Sequence, residues 1–462
     1  NAGGEIIMTR FILTSLCLFT LFIVTGCDRD GKKILDIQTF TTPAGFHVWF
    51  VKDTSVPVLS TTFLFKGAGA VVLNEETQGL TQILSNMLDE GAGELDSTAF
   101  QKALLDVSIQ MSFSASRDNF SGNLKTLSEK KERAFELLAL ALTEPRFDAE
   151  PLQRMIDANL SRVRGNLSDT NWIAARITND KAFEGHPYRL NSGGTLSSLP
   201  EITAEDLQDF TTDYLTQDRL IIGVAGDATQ KELSALIDKT FSKLPKAGVS
   251  PEIANIKLQN LGQAFHYPLD VPQSVVTMVL PGITRDNPDY YAFQVMNQIF
   301  GAGGFGARLT KSIREEQGLA YGIFSTLSRM EYAQILFITS STKNESVGQL
   351  VESVKKEMGK IATNLVSADE MNDAKNYIVG SLPLSFTTTD AISGTLVALQ
   401  EENLPTDYLD TFPDSIQAIT LEDIRNIAAK MLMPEQIMTV IVGDAETLDS
   451  TVQTVSELEN VR

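Results

Sequence analysis

The sequence predicts an α+β protein of two duplicated domains, each a mixed sheet covered on one side by helices. Three observations predict it. Strand-like and helix-like runs follow one another in the same order in both halves, a helix–turn–strand unit recurs at a fixed spacing, and a stretch rich in helix breakers separates the halves. The 462 residues, 43% hydrophobic and 21% charged, also exceed what one hydrophobic core ordinarily serves.

In the first half, apolar runs at 46–51 and 58–65 read as strands, the second ending in Lys66-Gly67-Ala68-Gly69. Apolar residues at helical spacing follow over 79–88, 98–107, 129–142, 150–167 and 204–214, and 219–224 reads as a strand closed by Gly226-Asp227. The second half predicts a strand at 274–280, a helix at 290–300, a glycine-rich turn, a helix at 308–316, strands near 321–328 and 335–339, then long helices. The repeat fixes the correspondence. Ile202-Thr-Ala-Glu-Asp-Leu207 leads without a gap to Gly226-Asp227, and Ile419-Thr-Leu-Glu-Asp-Ile424 leads to Gly443-Asp444. Ile419 lies 217 residues after Ile202, and Asp444 lies 217 after Asp227. The expected domains are 41–245 and 263–455, joined by a linker at 246–262 that carries Lys246, Gly248 and Pro251.

Residues 1–27 predict a targeting signal, followed by a tether over 28–40. Met8 is the expected start, Arg10 precedes an apolar run over 11–24, and the run ends in Val24-Thr25-Gly26-Cys27. That run is short for a membrane span. A small residue before the cysteine resembles the lipobox of bacterial lipoproteins, in which the cysteine is acylated and becomes the new N-terminus, so Cys27 is the expected anchor. Cys17 lies inside the signal, which leaves the mature chain no thiol pair for a disulfide or a cysteine metal site. With 38 Lys+Arg against 59 Asp+Glu the formal charge is −21, which opposes nucleic-acid binding.

Two places could carry chemistry. Over 79–88, Gln82, Ser85, Asn86 and Asp89 fall at i, i+3, i+4 and i+7, one polar stripe opposite Leu80, Ile83, Leu84, Met87 and Leu88. Taken alone this is an amphipathic surface helix. In the second half, Gly306-Ala-Arg308-Leu-Thr-Lys-Ser-Ile-Arg314-Glu-Glu-Gln-Gly318-Leu-Ala-Tyr321 places Gly318 as a helix C-cap, Arg314 in the last helical turn and Tyr321 in the following strand. Gly301-Ala-Gly303-Gly-Phe-Gly306 spells the dinucleotide fingerprint, but a helix precedes it where that mechanism needs a strand. His47, His186 and His266 lack ligand spacing and read as packing or surface residues.

The whole pattern resembles the M16 peptidase family (insulinase, pitrilysin, mitochondrial processing peptidase). There a strand and a small-residue loop precede Gly-Leu-x-His-x-x-Glu-His-Met-Leu, the inverted zinc motif. Gly79-Leu80 and Met87-Leu88 match that frame, and Gln82, Ser85 and Asn86 stand where the family has two histidine ligands and its general-base glutamate. Amide and hydroxyl groups cannot replace an imidazole pair and a carboxylate. The family's third ligand is a glutamate on a later helix, here around 161–164, where no residue is acidic; Asp157 is the only carboxylate between Pro151 and Leu167. The Arg314–Tyr321 stretch closely resembles the family's Arg…Tyr element, whose side chains bind the substrate carbonyl as its oxygen becomes negative.

The resemblance implies two M16-type domains and a chain that is not active alone. It implies a non-catalytic, substrate-binding subunit of a heterodimeric zinc metallopeptidase acting on peptides in the cell envelope. This chain would hold no cofactor. Zinc would sit in a partner subunit with an intact His-x-x-Glu-His motif. The expected location is the periplasm of a Gram-negative bacterium, lipid-anchored to the inner or outer membrane. A peptide-binding or scaffold lipoprotein without proteolytic role is the alternative; an autonomous peptidase with an unusual metal site is disfavoured by the ligand count.

Overall fold

The chain is described by a computed structural model over residues 33–446 and 448–461; the signal, Cys27 and the start of the tether lie outside the described residues. The first half runs β1 (Ile37–Thr41), β2 (His47–Lys52), β3 (Val58–Phe65), α1 (Leu80–Met87), α2 (Ser97–Leu105), β4 (Gln110–Ala115), β5 (Phe120–Leu127), α3 (Lys131–Thr143), α4 (Ala149–Asn166), α5 (Thr170–Ala182), α6 (Ala204–Tyr214), β6 (Leu220–Gly226) and α7 (Gln230–Phe241). The second runs β7 (Ala264–Tyr267), β8 (Gln273–Pro281), α8 (Tyr290–Asn297), β9 (Ala320–Arg329), β10 (Gln334–Lys343), α9 (Val347–Thr363), α10 (Ala368–Ser381), α11 (Thr389–Glu401), α12 (Tyr408–Gln417), α13 (Leu421–Met431), β11 (Met438–Val442) and β12 (Gln453–Thr454).

Each half builds a six-stranded mixed sheet, ordered β1-β2-β6-β3-β5-β4 and β12-β7-β11-β8-β10-β9. Within each, one central strand pairs parallel on one side and antiparallel on the other: β6 with β2 and β3, β11 with β7 and β8. The duplication reaches single residues. Helices α6 and α13 both start on a capping box, Thr203 with Asp206 and Thr420 with Asp423, which satisfies orphan N–H groups of the first turn. Gly226 and Gly443 close β6 and β11 at φ 132° and 150°. A Cβ at Gly226 would run into the Val58 carbonyl, and one at Gly443 into Ser274.

Apart from α5 and α11, the helices that cover each sheet lie on one face of it and come from its own half. In the first half they bury Leu59, Phe63, Phe65, Ile222 and Val224, and in the second Val276, Met278, Leu280 and Ile441. The opposite face of each sheet receives a helix from the other half. Ile173, Ala174 and Ile177 of α5 pack with Val275 and Val279 of β8 and Val440 and Val442 of β11. Ile392 and Leu396 of α11 pack with Val51 and Ala225. Ser60 and Thr62 of β3 point to the same side and bond Thr389 and Ser393 of α11, at 2.7 and 2.8 Å. Gly223 admits this approach, since a Cβ there would meet the Ser393 carbonyl.

Several boundaries differ from the sequence expectation. The tether is shorter than 28–40, because β1 already pairs antiparallel with β2 from Ile37. Residues 246–262 hold no helix or strand, as a linker should, yet the Ile256 N–H donates to the Tyr332 carbonyl and the Gln259 N–H to that of Ala182. Past residue 455 the chain touches the first half: the Leu196 N–H donates to the Val461 carbonyl at 3.0 Å. Strands β1, β4, β5, β7 and β12 and helices α5 and α7 were not anticipated. The helix expected over 308–316 is helical, but Thr310–Glu316 follows the wider π pattern, as does Gln298–Ala302 after α8.

Candidate functional site: an arginine and a tyrosine beside a glycine turn

In the first half, α1 begins at Gly79 (φ 92°), whose missing Cβ leaves room for Gly194. Its apolar face, Leu80, Ile83, Leu84, Met87 and Leu88, is buried. The polar stripe spends its groups locally. Ser85 is buried, and its hydroxyl donates back to the Gln82 carbonyl at 2.8 Å, while the Gln82 amide reaches the Ser85 Oγ at 3.4 Å. Asn86 is half-buried. On α4 the residues around 161–164 include two cations, and the Arg162 guanidinium donates to Asn159 Oδ1 at 2.8 Å and the Gly193 carbonyl at 3.1 Å. Asp157 is exposed and accepts from Gln153 at 3.0 Å. A divalent cation needs anionic or imidazole donors at these positions, and an amide, a hydroxyl and a nearby guanidinium do not fit it. Among the described residues no three His, Cys, Asp or Glu side chains converge into a metal-holding group.

The histidines are tied to backbone or neighbouring hydroxyls. His186 Nδ1 accepts from the Tyr188 N–H and its Nε2 donates to the Ala254 carbonyl, both at 3.1 Å, and burial pushes its pKa below the ordinary value. His266 Nε2 donates to the Gly443 carbonyl at 2.8 Å, at the repeat glycine. His47 Nδ1 lies 3.0 Å from Thr41 Oγ1.

The second half presents a different surface. The π segment Thr310–Glu316 is pinned from two sides: the Thr310 hydroxyl donates to the Ile323 carbonyl of β9 at 3.2 Å, and the Ser312 hydroxyl donates to Glu357 of α9 at 2.9 Å. Gly318, at φ 62°, ends it and turns the chain into β9. Arg314 therefore sits in the last turn and Tyr321 at the second position of β9, as the sequence implied. Tyr321 is 88% exposed. The Arg314 guanidinium carbon lies 4.9 Å from its ring centroid and 4.6 Å from that of Phe305. Among the described residues Arg314 has no carboxylate within ion-pairing distance and Tyr321 is no core aromatic. Gln82, Ser85 and Asn86 are not brought to this pair: α1 packs on β4, α4 and α6, whereas the π segment packs on β9 and α9.

Arg308 shows the alternative fate of such a side chain. Its fork is closed on Glu370 of α10, Nε and Nη2 donating at 2.7 and 2.9 Å, and this contact holds the Glu370 carboxyl down at about 2. Phe305 was not singled out from the sequence. The signal was there, since a lone phenylalanine inside a glycine turn has nothing local to pack on. Its contact with Arg314 depends on how the turn folds.

Two duplicated six-stranded sheets, a first-half helix with Gln82, Ser85 and Asn86 along its polar stripe, and an arginine–tyrosine pair in the second half mark a protein of M16-like fold in which, among the described residues, no metal-holding group converges. The chain is similar to proteins of the M16 peptidase family over most of its length. Residues 201–378, which include the Arg314–Tyr321 stretch, match the family profile described as the peptidase M16 inactive domain. The chain is 24% identical over 421 residues to a "non-peptidase homolog YmxG" of Helicobacter pylori, covering 91% of this chain and 95% of that one. It is 22% identical over 427 residues to a probable mitochondrial-processing peptidase subunit beta of Arabidopsis thaliana, covering 89% and 79%. A crystal structure of a peptidase M16 inactive domain from Pseudomonas fluorescens superposes with a TM-score of 0.82 at 27% identity, covering 91% of this chain and all of that one.

Proposed function

We propose that this chain is the non-catalytic, substrate-binding subunit of a heterodimeric M16 zinc metallopeptidase that acts on peptides in the cell envelope. The observation that carries the reading is the Arg314 fork, which no carboxylate of the described chain engages, beside a tyrosine hydroxyl on an exposed ring. Preorganised donors of this kind stabilise negative charge developing on a carbonyl oxygen. In this reading, a partner with an intact His-x-x-Glu-His motif supplies zinc and general base. Arg314 and Tyr321 donate to the scissile carbonyl oxygen, weakly in the ground state and strongly as it becomes an oxyanion. Cys27, acylated, holds the chain at the inner or outer membrane facing the periplasm.

A second reading, a peptide-binding or scaffold lipoprotein without proteolytic role, is favoured by the name of the Helicobacter relative, a non-peptidase homolog. Reconstitution separates the two. The purified chain should hold well under one zinc per molecule and cleave no peptide. Chelator-sensitive cleavage should appear on adding an M16 chain with an intact motif, above what that chain achieves alone. Cleavage by the partner alone at the full rate of the mixture would favour the scaffold reading, and stoichiometric zinc with activity in the isolated chain would contradict both.

A further inference from the structure

The turn before the arginine carries a feature that packing does not explain. Phe305 is 71% exposed in the short helical turn Gly304–Gly306, so burial gives it little. Gly303 and Gly304 set its position. Gly304 has φ 60°, and a side chain at Gly303 would run into the Gln298 carbonyl, so the turn is tight. The turn is also held between the two π segments, Gln298–Ala302 and Thr310–Glu316. The Phe305 ring comes to rest over the guanidinium of Arg314, with Tyr321 also within 5 Å of that group.

Arg308 and Arg314 lie six residues apart and are held in opposite ways. Glu370 holds Arg308 through two of its N–H groups, which are then used up. Among the described residues the Arg314 guanidinium makes no hydrogen bond or ion pair, and the rings beside it carry no carboxylate, so its N–H donors are left free. An acid partner at this place would orient the fork but would also neutralise it and occupy the donors. A ring face orients it at no such loss.

We infer that Phe305 is a positioning residue: it holds the Arg314 fork in a fixed orientation through its ring face, so that the guanidinium stays ordered and unoccupied until a carbonyl oxygen arrives. The inference rests on the proposed role of Arg314 for its consequence in catalysis, but the orientation itself is a property of this chain alone. A cation–ring contact at an exposed site corresponds to an effect of about two- to five-fold, so Phe305 tunes the pair and does not replace it.

The test has an arm for each part. In the full chain with labelled arginine, the Arg314 side-chain resonances, assigned by their disappearance in Arg314→Lys, should carry ring-current shifts. Phe305→Leu, which keeps apolar bulk and loses the ring, should remove a large share of those shifts, and Phe305→Tyr should retain them. Unchanged Arg314 resonances in Phe305→Leu overturn the orientation claim whatever any complex does. In the reconstituted peptidase, Phe305→Leu should lower kcat about two- to five-fold with KM nearly constant, and Phe305→Tyr should restore it. Loss of the ring-current shifts with kcat unchanged, in a complex that does depend on Arg314, overturns the catalytic consequence. A complex indifferent to Arg314→Lys instead removes the proposed function and leaves the orientation claim to the spectra.

Discussion

Helix α1 in the first half and the Arg314–Tyr321 corner in the second occupy halves built on one plan, yet they spend their polar groups differently. On α1, the Ser85 hydroxyl returns to the Gln82 carbonyl and the Gln82 amide leans on Ser85, so part of the stripe is satisfied within its own turn. At the second corner, the backbone under Arg314 is fixed by Thr310 and Ser312, while the Arg314 head is touched by rings that use none of its donors. A row of polar side chains is therefore no measure of a site. What separates the two regions is whether donors or acceptors are left over once the fold has taken its share.

The largest effect should come from the helices exchanged between halves. Ile177→Ala in α5 and Leu396→Ala in α11 each empty a buried contact with the other half's sheet and should each cost about 2–5 kcal/mol. Because each helix belongs to one half and packs on the other, denaturant unfolding should remain a single transition in both variants. Two separated transitions, only one of them shifted, would show that the halves are independent and break the comparison at its base.

A smaller effect should divide the two arginines. Arg308→Lys loses the two-pronged contact with Glu370 and should destabilise the chain by roughly 1 kcal/mol, whereas Arg314→Lys should leave the thermal midpoint nearly unchanged. Equal losses in both would mean that Arg314 is structural. Smaller still is the pH signature of the same contact. Glu370 has its pKa lowered to about 2 in the folded chain, first by Arg308, against 4.5 unpaired. Its contribution is thus present above about pH 4.5 and is lost as pH falls toward 2. The stability gap between the chain and Glu370→Gln, measured by denaturant titration, should be open at pH 7 and should close over that window. The carboxylate is partly exposed, so the gap is modest.

Much of this was legible in the sequence because it rests on short-range rules. The strands at 58–65 and 219–224, the helices carrying apolar residues every three or four positions, and the repeat that leads to Gly226-Asp227 and Gly443-Asp444 are short-range statements, and each recurs in the fold, the second strand over 220–226. Gly318 announced where the segment under Arg314 ends. What was missed depended on distant partners. Helix α5 has a weak apolar stripe because its buried Arg176 and Asp180 pair with each other at 3.0 Å and its few apolar residues meet a sheet of the other half. Strand β5 was masked by Gly122, which is there because a side chain would enter the Phe63 ring. Strand β4 alternates Gln110, Ser112 and Ser114 with Met111, Phe113 and Ala115 on the other face, too thin a pattern to read. The π register around Arg314 leaves no compositional trace, and Phe305 acquires its role only when the turn folds back over the guanidinium.

The central claim is that the second half keeps a working pair and the first half keeps only the outline of a site. It is tested most directly by comparing two sets of variants in one reconstituted complex with a zinc-bearing partner. Tyr321→Phe removes one donor and keeps the ring, so kcat should fall about 10²–10³-fold while KM changes little. Arg314→Lys should also be damaging, because a point ammonium does not reproduce the planar fork. The triple change Gln82→Ala, Ser85→Ala and Asn86→Ala should leave kcat within about two-fold of the parent, since a local hydrogen bond of this kind contributes on the order of 1 kcal/mol to folding and none to chemistry. Near-normal kcat in Tyr321→Phe and Arg314→Lys, or a collapse of kcat in the triple variant with its fold intact, would contradict the account.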